Sequence, residues 1–210
     1  MTLDLFLLQL FTGLALGSIY VLLALGLSLI FGLLNIVNFA HGQFFMLGAY
    51  VGAFALGLFG NFWLALLAVP LFVGALGMLA ERFLVRPLYG RGIDYPLLLT
   101  YGLGLILLDS VRILAGTEGV PFPAPDVLSG ATDLGLFFFP TYRLFLIVVT
   151  VIGGMGSLLG AVVAGLLVGV TVSFTSFYFP QTATLSIFIL MALVLIFRPR
   201  GLFGRAGALG

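Results

Sequence analysis

Residues 5–31, LFLLQLFTGLALGSIYVLLALGLSLIF, form one apolar run that contains no charged side chain. A bilayer core of about 30 Å takes about 20 helical residues. At 1.5 Å per residue this run would extend about 40 Å as a helix, so we expect it to cross a membrane with a tilt or a bend. It lacks the positive n-region of a cleavable signal peptide, and it is far longer than an apolar h-region.

The composition of the whole chain agrees with that first run. Hydrophobic residues make up 62% of the 210 residues and charged residues 7%, whereas ordinary globular proteins hold about 25% charged residues. Fifteen charged side chains cannot cover the surface of a soluble protein of this size, and disordered chains are far more polar. The sequence therefore predicts an integral membrane protein.

Further apolar runs follow the first one and predict an all-α polytopic helical bundle. No alternating ten-residue pattern favours strands. With the first run, the chain has about seven hydrophobic segments, which we treat as one transmembrane domain over residues 1–210. The further runs cover residues 43–58, 62–80, 96–115, 137–152, 158–179 and 183–197, of which 43–58 and 137–152 are marginally short.

The arginine distribution predicts the orientation of the bundle. Six of the eight arginines lie in residues 81–95 and 198–210, which we place in the cytoplasm as a loop and a tail. Residues 117–136 hold three acidic residues, three prolines and no arginine, so we place them outside as an external loop. Seven crossings with the N-terminus outside and the C-terminus inside fit each of these segments.

Residue types that are missing exclude several classes of function. All eight basic residues are arginine, so the chain lacks the lysine of a P-loop and of Schiff-base chemistry. It holds no cysteine and one histidine, which leaves no thiolate or multi-histidine metal site. No hydrolase motif and no basic strip for nucleic acid are present. We therefore expect no enzyme, no metal and no cofactor in this chain.

The most unusual stretch is GLLNIVNFAHGQ at residues 32–43, where polar side chains interrupt apolar sequence without any charge. Broken helices at membrane depth free backbone groups that transporters use to bind polar solutes. The same residues also fit a polar cytoplasmic turn in which Asn35 and Asn38 cap helices, and spacing alone favours that simpler interpretation. The candidate path residues are Asn35, Asn38, His41 and Gln43.

Other features have structural interpretations. Asp109 and Arg112 are three residues apart and can pair on one helix face, and Arg143 is expected to anchor an interface. The GGMGS turn at residues 153–157 is expected to serve packing. Glycines at small-xxx-small spacing predict close helix contacts, mainly within the chain, with a subunit interface as the alternative. They include Gly13/Gly17, Gly48/Gly52 and Gly165/Gly169.

Several motifs together resemble the permease subunits of branched-chain amino acid ABC importers. The stretches GLALGSIY, GLSLIFG and NFAHG, at residues 13–20, 26–32 and 38–42, are similar to the N-terminal half of that family. The ER and RPL at residues 81–82 and 86–88 resemble its first cytoplasmic loop. The IGGMGS and RPRGLFG at residues 152–157 and 198–204 resemble its C-terminal part.

The resemblance implies alternating access in the cell (inner or plasma) membrane. It implies a second permease subunit that completes the pore, cytoplasmic ATPase subunits that bind the ATP, and an extracytoplasmic solute-binding protein. Lipid is the remaining partner.

One departure from the family pattern limits this expectation. Members of the family carry further membrane segments and an ATPase-docking loop between the helix that begins here at residues 142–144 and the GGMGS turn. Here the VVTVI of residues 148–152 joins the two directly, which resembles an internal deletion near Thr150. A truncated, uncoupled remnant with a structural role is therefore the alternative function, and an unrelated channel or membrane enzyme is a weaker one.

Overall fold

The computed structural model describes residues 2–34, 36–92, 94–154 and 159–198, and most of them are helical. Six of the described helices are long and apolar enough to span a membrane, and a seventh, shorter apolar helix covers Thr141–Ile152. The all-α polytopic membrane fold is confirmed. The α-helices are α1 (Leu3–Leu34), α2 (His41–Phe59), α3 (Phe62–Ala80), α4 (Asp94–Ala115), α5 (Thr141–Gly154), α6 (Leu159–Tyr178) and α7 (Ala183–Phe197).

The turn between α2 and α3 shows how local sequence ends one helix and starts the next. Gly60 adopts φ 60°, and its N–H donates to the carbonyl of Leu56. Asn61 then caps α3, because its Oδ1 accepts from the backbone N–H groups of Trp63 and Leu64 at 2.9 and 3.2 Å. Glycine tolerates the left-handed conformation and asparagine is a preferred N-cap, so this connection needs only two residues.

The segment after α3 was predicted to be a loop because of its arginines, but its first residues are helical. A π-helical turn, Glu81–Val85, and a 3-10 turn, Arg86–Leu88, continue α3 without a break. The apolar span counted from Phe62 therefore reaches Leu88. The first part of the predicted loop at 81–95 is thus a helical extension, which carries Arg82 and Arg86.

The chain divides into two compact units, Met1–Ser28 with Asp126–Gly210, and Leu29–Pro125. In the first unit, α1 and α6 approach through glycine. A Cβ atom built on Gly17 would lie 2.8 Å from Cα of Leu166, and one on Gly165 would lie 2.7 Å from the backbone nitrogen of Val21. Small residues allow two backbones to approach this closely. The predicted intramolecular packing of these glycines is confirmed.

A polar contact adds to the glycine contact between α1 and α6. Gln9 Nε2 donates to the carbonyl and hydroxyl oxygens of Ser173, at 2.5 and 2.7 Å. The Ser173 hydroxyl donates in turn to the carbonyl of Gln9 at 2.9 Å. Since lipid offers no alternative partners, such a reciprocal pair helps to fix the register of the two helices.

The first unit also contains a two-stranded antiparallel hairpin, β1 (Ala131–Asp133) with β2 (Phe138–Pro140), in which Ala131 pairs with Pro140. The predicted apolar run at 137–152 begins inside this hairpin, so α5 starts only at Thr141. It has 14 residues, which at 1.5 Å each gives about 21 Å, less than a bilayer core.

In the second unit, α2 packs against both α3 and α4. Gly48 and Gly52 face Val69 of α3, with built Cβ positions 3.4 and 3.3 Å from its methyl carbons. The buried residues of α4 are Pro96, Thr100, Gly104 and Val111. Their spacing of four, four and seven places them on one face of the helix.

Candidate functional site

The candidate site is the interruption between α1 and α2, within the second unit. Residues 36–38 are irregular, Phe39 and Ala40 form a turn, and α2 starts at His41. Asn38 shapes this turn, because its Oδ1 accepts from the N–H of Ala40 at 2.9 Å and its carbonyl accepts from the N–H of His41 at 3.2 Å. Asparagine side chains bond in this way to nearby backbone and compete with helix.

Thr100 of α4 holds the irregular segment in place. Its side chain is 1% exposed, and its Oγ1 accepts from the N–H of Phe39 at 3.2 Å. The same hydroxyl donates to one of two carbonyl oxygens, that of Leu97 at 3.1 Å or that of Val37 at 3.5 Å. A backbone N–H that the irregular segment leaves without a helical partner is thereby satisfied inside the protein.

Gly104, one turn after Thr100, makes room for the start of α2. A Cβ atom built on it would lie 3.2 Å from Gln43 Oε1 and 3.5 Å from Cα of Ala40. Gln43 Oε1 is buried, and no hydrogen-bond donor of the described residues reaches it. An unsatisfied buried acceptor costs about 1–3 kcal/mol, so this oxygen lowers the stability of the fold as long as it has no donor.

The four residues predicted from sequence have different outcomes. Asn35 lies outside the described residues. The Asn38 side-chain oxygen accepts from the N–H of Ala40 in the turn before α2, but the residue at the N-cap of α2 is Ala40, so Asn38 is not the helix cap that the simpler interpretation expected. His41 is the partly buried first residue of α2. Gln43 is the member of the set whose polar atom faces the packed interior without a partner, and a role of these residues in transport stays a prediction.

Sequence reasoning missed Thr100 and Gly104. The spacing of four residues from Pro96 to Thr100 and again to Gly104 was a signal for a small or polar face of the largely apolar helix α4. The spacing did not identify Phe39 as the partner of Thr100, because the two residues are far apart in the sequence. Elsewhere in the second unit the expected Asp109–Arg112 pair forms at 3.5 Å. No group of three or more His, Asp or Glu within the described ranges is placed to hold a metal ion.

The apolar helices define a multi-pass membrane protein, and the comparison with known families defines its class as a transport permease. A family described as the permease component of branched-chain amino acid transport systems matches residues 9–139. This match covers more than half of the chain, including the whole interruption and α4. The chain belongs to this family.

Curated relatives agree with the family match. LivH of Escherichia coli K12, a permease protein of a high-affinity branched-chain amino acid transport system, is 34% identical over 128 residues, 57% of this chain and 42% of LivH. BraD of Pseudomonas aeruginosa, with the same description, is 31% identical over 126 residues, 55% of this chain and 40% of BraD. LivM of Escherichia coli K12 is 34% identical over 134 residues, 61% of this chain and 29% of LivM.

The aligned part of the chain thus spans about two fifths of the length of LivH and BraD. No solved structure matches the chain.

Proposed function

We propose that this chain is a membrane-spanning subunit of an ABC importer for branched-chain amino acids. The observation that carries the proposal is the interruption before α2, which is held by Thr100 and followed by the unpartnered oxygen of Gln43. Transporters place such irregular backbone where it lines a solute path. The family match covers this region, and the relatives are permeases of branched-chain amino acid transport systems.

The proposal includes a second permease subunit. Two permease proteins of one organism, LivH and LivM, both match this chain at 34% identity. That observation supports a pore built from two related chains. We further propose separate cytoplasmic ATPase subunits that bind ATP, a solute-binding protein outside the cell, and a place in the inner or plasma membrane. The absence of lysine supports the separate ATPase, because a P-loop requires one.

The proposed orientation has the N-terminus outside and the C-terminus inside. It assigns residues 81–95 and 198–210 to the cytoplasm and residues 117–136 to the outside. Two of the three arginines of 81–95, Arg82 and Arg86, lie on the helical extension of α3. An arginine-rich helix end fits the cytoplasmic membrane surface, where positive charge is enriched.

The proposal is tested by uptake and by copurification. Vesicles that hold the chain, its second permease, the ATPase and the binding protein should accumulate radiolabelled leucine with ATP and not with ADP. Vesicles without the chain are the control. Uptake no greater than in those vesicles would contradict a competent permease.

The alternative, an uncoupled remnant, is favoured by one specific observation. The family match ends at residue 139, and the described part of the helix that follows has 14 residues, fewer than the about 20 that span a bilayer core. Copurification separates the two functions. If the tagged chain retains the ATPase subunits in mild detergent, the importer is supported; if it retains the second permease but no ATPase, the remnant is supported.

A further inference from the structure

A cavity of about 300 Å³ lies between α2 and α4 in the second unit. Its walls combine apolar side chains with three polar ones. Small-molecule sites of about this size are mostly apolar with a few polar groups that orient the ligand. The apolar lining side chains include Met46, Leu108 and Val111, and the polar ones are Tyr50, Arg112 and Thr117.

Arg112 brings an unusual charge to this cavity. It lies in the last turn of an apolar helix of 22 residues, and its Nη1 is 3.5 Å from Asp109 Oδ1. An arginine near a helix end reaches toward the membrane surface, and the Arg112 and Asp109 side chains are 57% and 67% exposed, so both are accessible to a solute. A guanidinium has five N–H donors, so one contact with Asp109 leaves others for an anionic group.

The cavity lies along the same contact between α2 and α4 that contains Gln43 and Gly104 at the candidate site. Gln43, Met46 and Tyr50 recur at intervals of three and four along α2, and so lie on one face. On α4 the facing residues are Gly104, Leu108 and Val111, with the same periodicity. Gln43 and Tyr50 are about 10 Å apart along α2, so the buried oxygen and the cavity belong to one interhelical groove.

We propose that this cavity binds the substrate amino acid as a zwitterion. The Arg112 guanidinium receives the α-carboxylate, Asp109 receives the α-ammonium group, and the branched side chain packs against Met46, Leu108 and Val111. This inference rests on the proposed function and adds the site and the way in which the substrate is recognised. The carboxylate and the aliphatic chain meet matching groups in the cavity lining, and Asp109, which lies beside the lining at 3.5 Å from Arg112, offers a carboxylate to the ammonium group.

The chain contains no cysteine, so one introduced thiol reports on the cavity. Met46→Cys and, at the cavity rim, Thr117→Cys are alkylated with a maleimide in the full chain, in complexes assayed for leucine uptake in parallel. Leu114→Cys is the matched control, because that residue is on α4 but 86% exposed outside the cavity. Leucine should slow alkylation at either cavity position and leave the control rate unchanged.

Ligand variants and charge variants test the recognition itself. Leucinol, which lacks the carboxylate, should protect poorly. In Arg112→Gln the leucine concentration for half-protection should rise about 10- to 100-fold, the loss expected for a hydrogen bond to a charged group, with Arg112→Lys in between. In Asp109→Asn protection by leucine should weaken, while protection by 4-methylpentanoate, which lacks the ammonium, should not. Arg143→Gln, at the start of α5, is the control for loss of an arginine.

Each outcome decides between the two proposals. Uptake without leucine protection at either thiol, or protection that Arg112→Gln does not weaken, overturns the binding site and leaves the importer standing. Protection without uptake supports the site and contradicts transport. The absence of both contradicts both proposals. An unchanged thermal unfolding midpoint of each charge variant in detergent shows that the protein is still folded.

Discussion

At the scale of single residues, Thr100 determines whether the interruption before α2 keeps its conformation. Thr100→Val preserves the shape of the side chain but removes the acceptor for the Phe39 N–H, so we expect a loss of about 1–3 kcal/mol of stability. Thermal unfolding in detergent measures this loss. Thr12→Val is the matched control, because the Thr12 hydroxyl donates only to Leu8 of its own helix. An equal effect of both substitutions would contradict the role of Thr100.

The same substitution at two glutamines should have opposite effects. Gln43→Met removes a buried oxygen that has no partner, so stability should rise, by up to about 1–3 kcal/mol. Gln9→Met removes the side chain that bonds to Ser173, so stability should fall. Unfolding midpoints of the two variants test this prediction, and shifts of the same sign would contradict it. If Gln43 meets the substrate, leucine uptake by Gln43→Met should fall even though the protein is more stable.

At the scale of elements, the contact between α1 and α6 depends on glycine. Gly17→Ala places a methyl group 2.8 Å from the backbone of Leu166, and overpacking of this kind costs about 1–3 kcal/mol. Gly74→Ala in α3 is the control, because nothing lies within 4 Å of its built Cβ atom, and alanine should gain about 0.5–1 kcal/mol there. If the unfolding midpoints of Gly17→Ala and Gly74→Ala both rose, the higher helix propensity of alanine would outweigh the packing at Gly17.

At the scale of the whole molecule, the predicted membrane topology depends on whether α5, which has 14 described residues, crosses the membrane. If α5 and α6 both cross, residues 118 and 181 lie on the same side of the membrane. We expect an impermeant maleimide to label Glu118→Cys and Gln181→Cys on intact cells, and Arg91→Cys only after permeabilisation. The described part of α5 is about 21 Å long, shorter than a bilayer core, so its crossing is the least supported part of the predicted topology. Labelling of residue 181 only together with residue 91 would show that α5 does not cross.

Much of this architecture could be predicted from the sequence, since its physical causes are local. A helix that crosses lipid must be long and apolar, so runs such as residues 5–31 can be recognised directly in the sequence. The turn at Gly60 and Asn61 depends on intrinsic preferences of those two residues. The sequence placed the start of α5 at residue 137 rather than 141, because Phe138–Pro140 is as apolar as a helix but pairs with β1. Apolarity alone does not separate a short hairpin strand from a membrane helix.

By itself the sequence determined the membrane class, most of the helical segments, the placement of Asp109 and Arg112 on one helix face, where they can pair, and the polar stretch at residues 32–43. Each of these depends on composition or on neighbours within four residues. Only the tertiary structure decided which glycines meet, that Thr100 holds Phe39, and that Gln43 is buried without a partner. The partners in these contacts lie on different helices or in different segments of the chain, and the packing of helix against helix, rather than any local preference, brings them together.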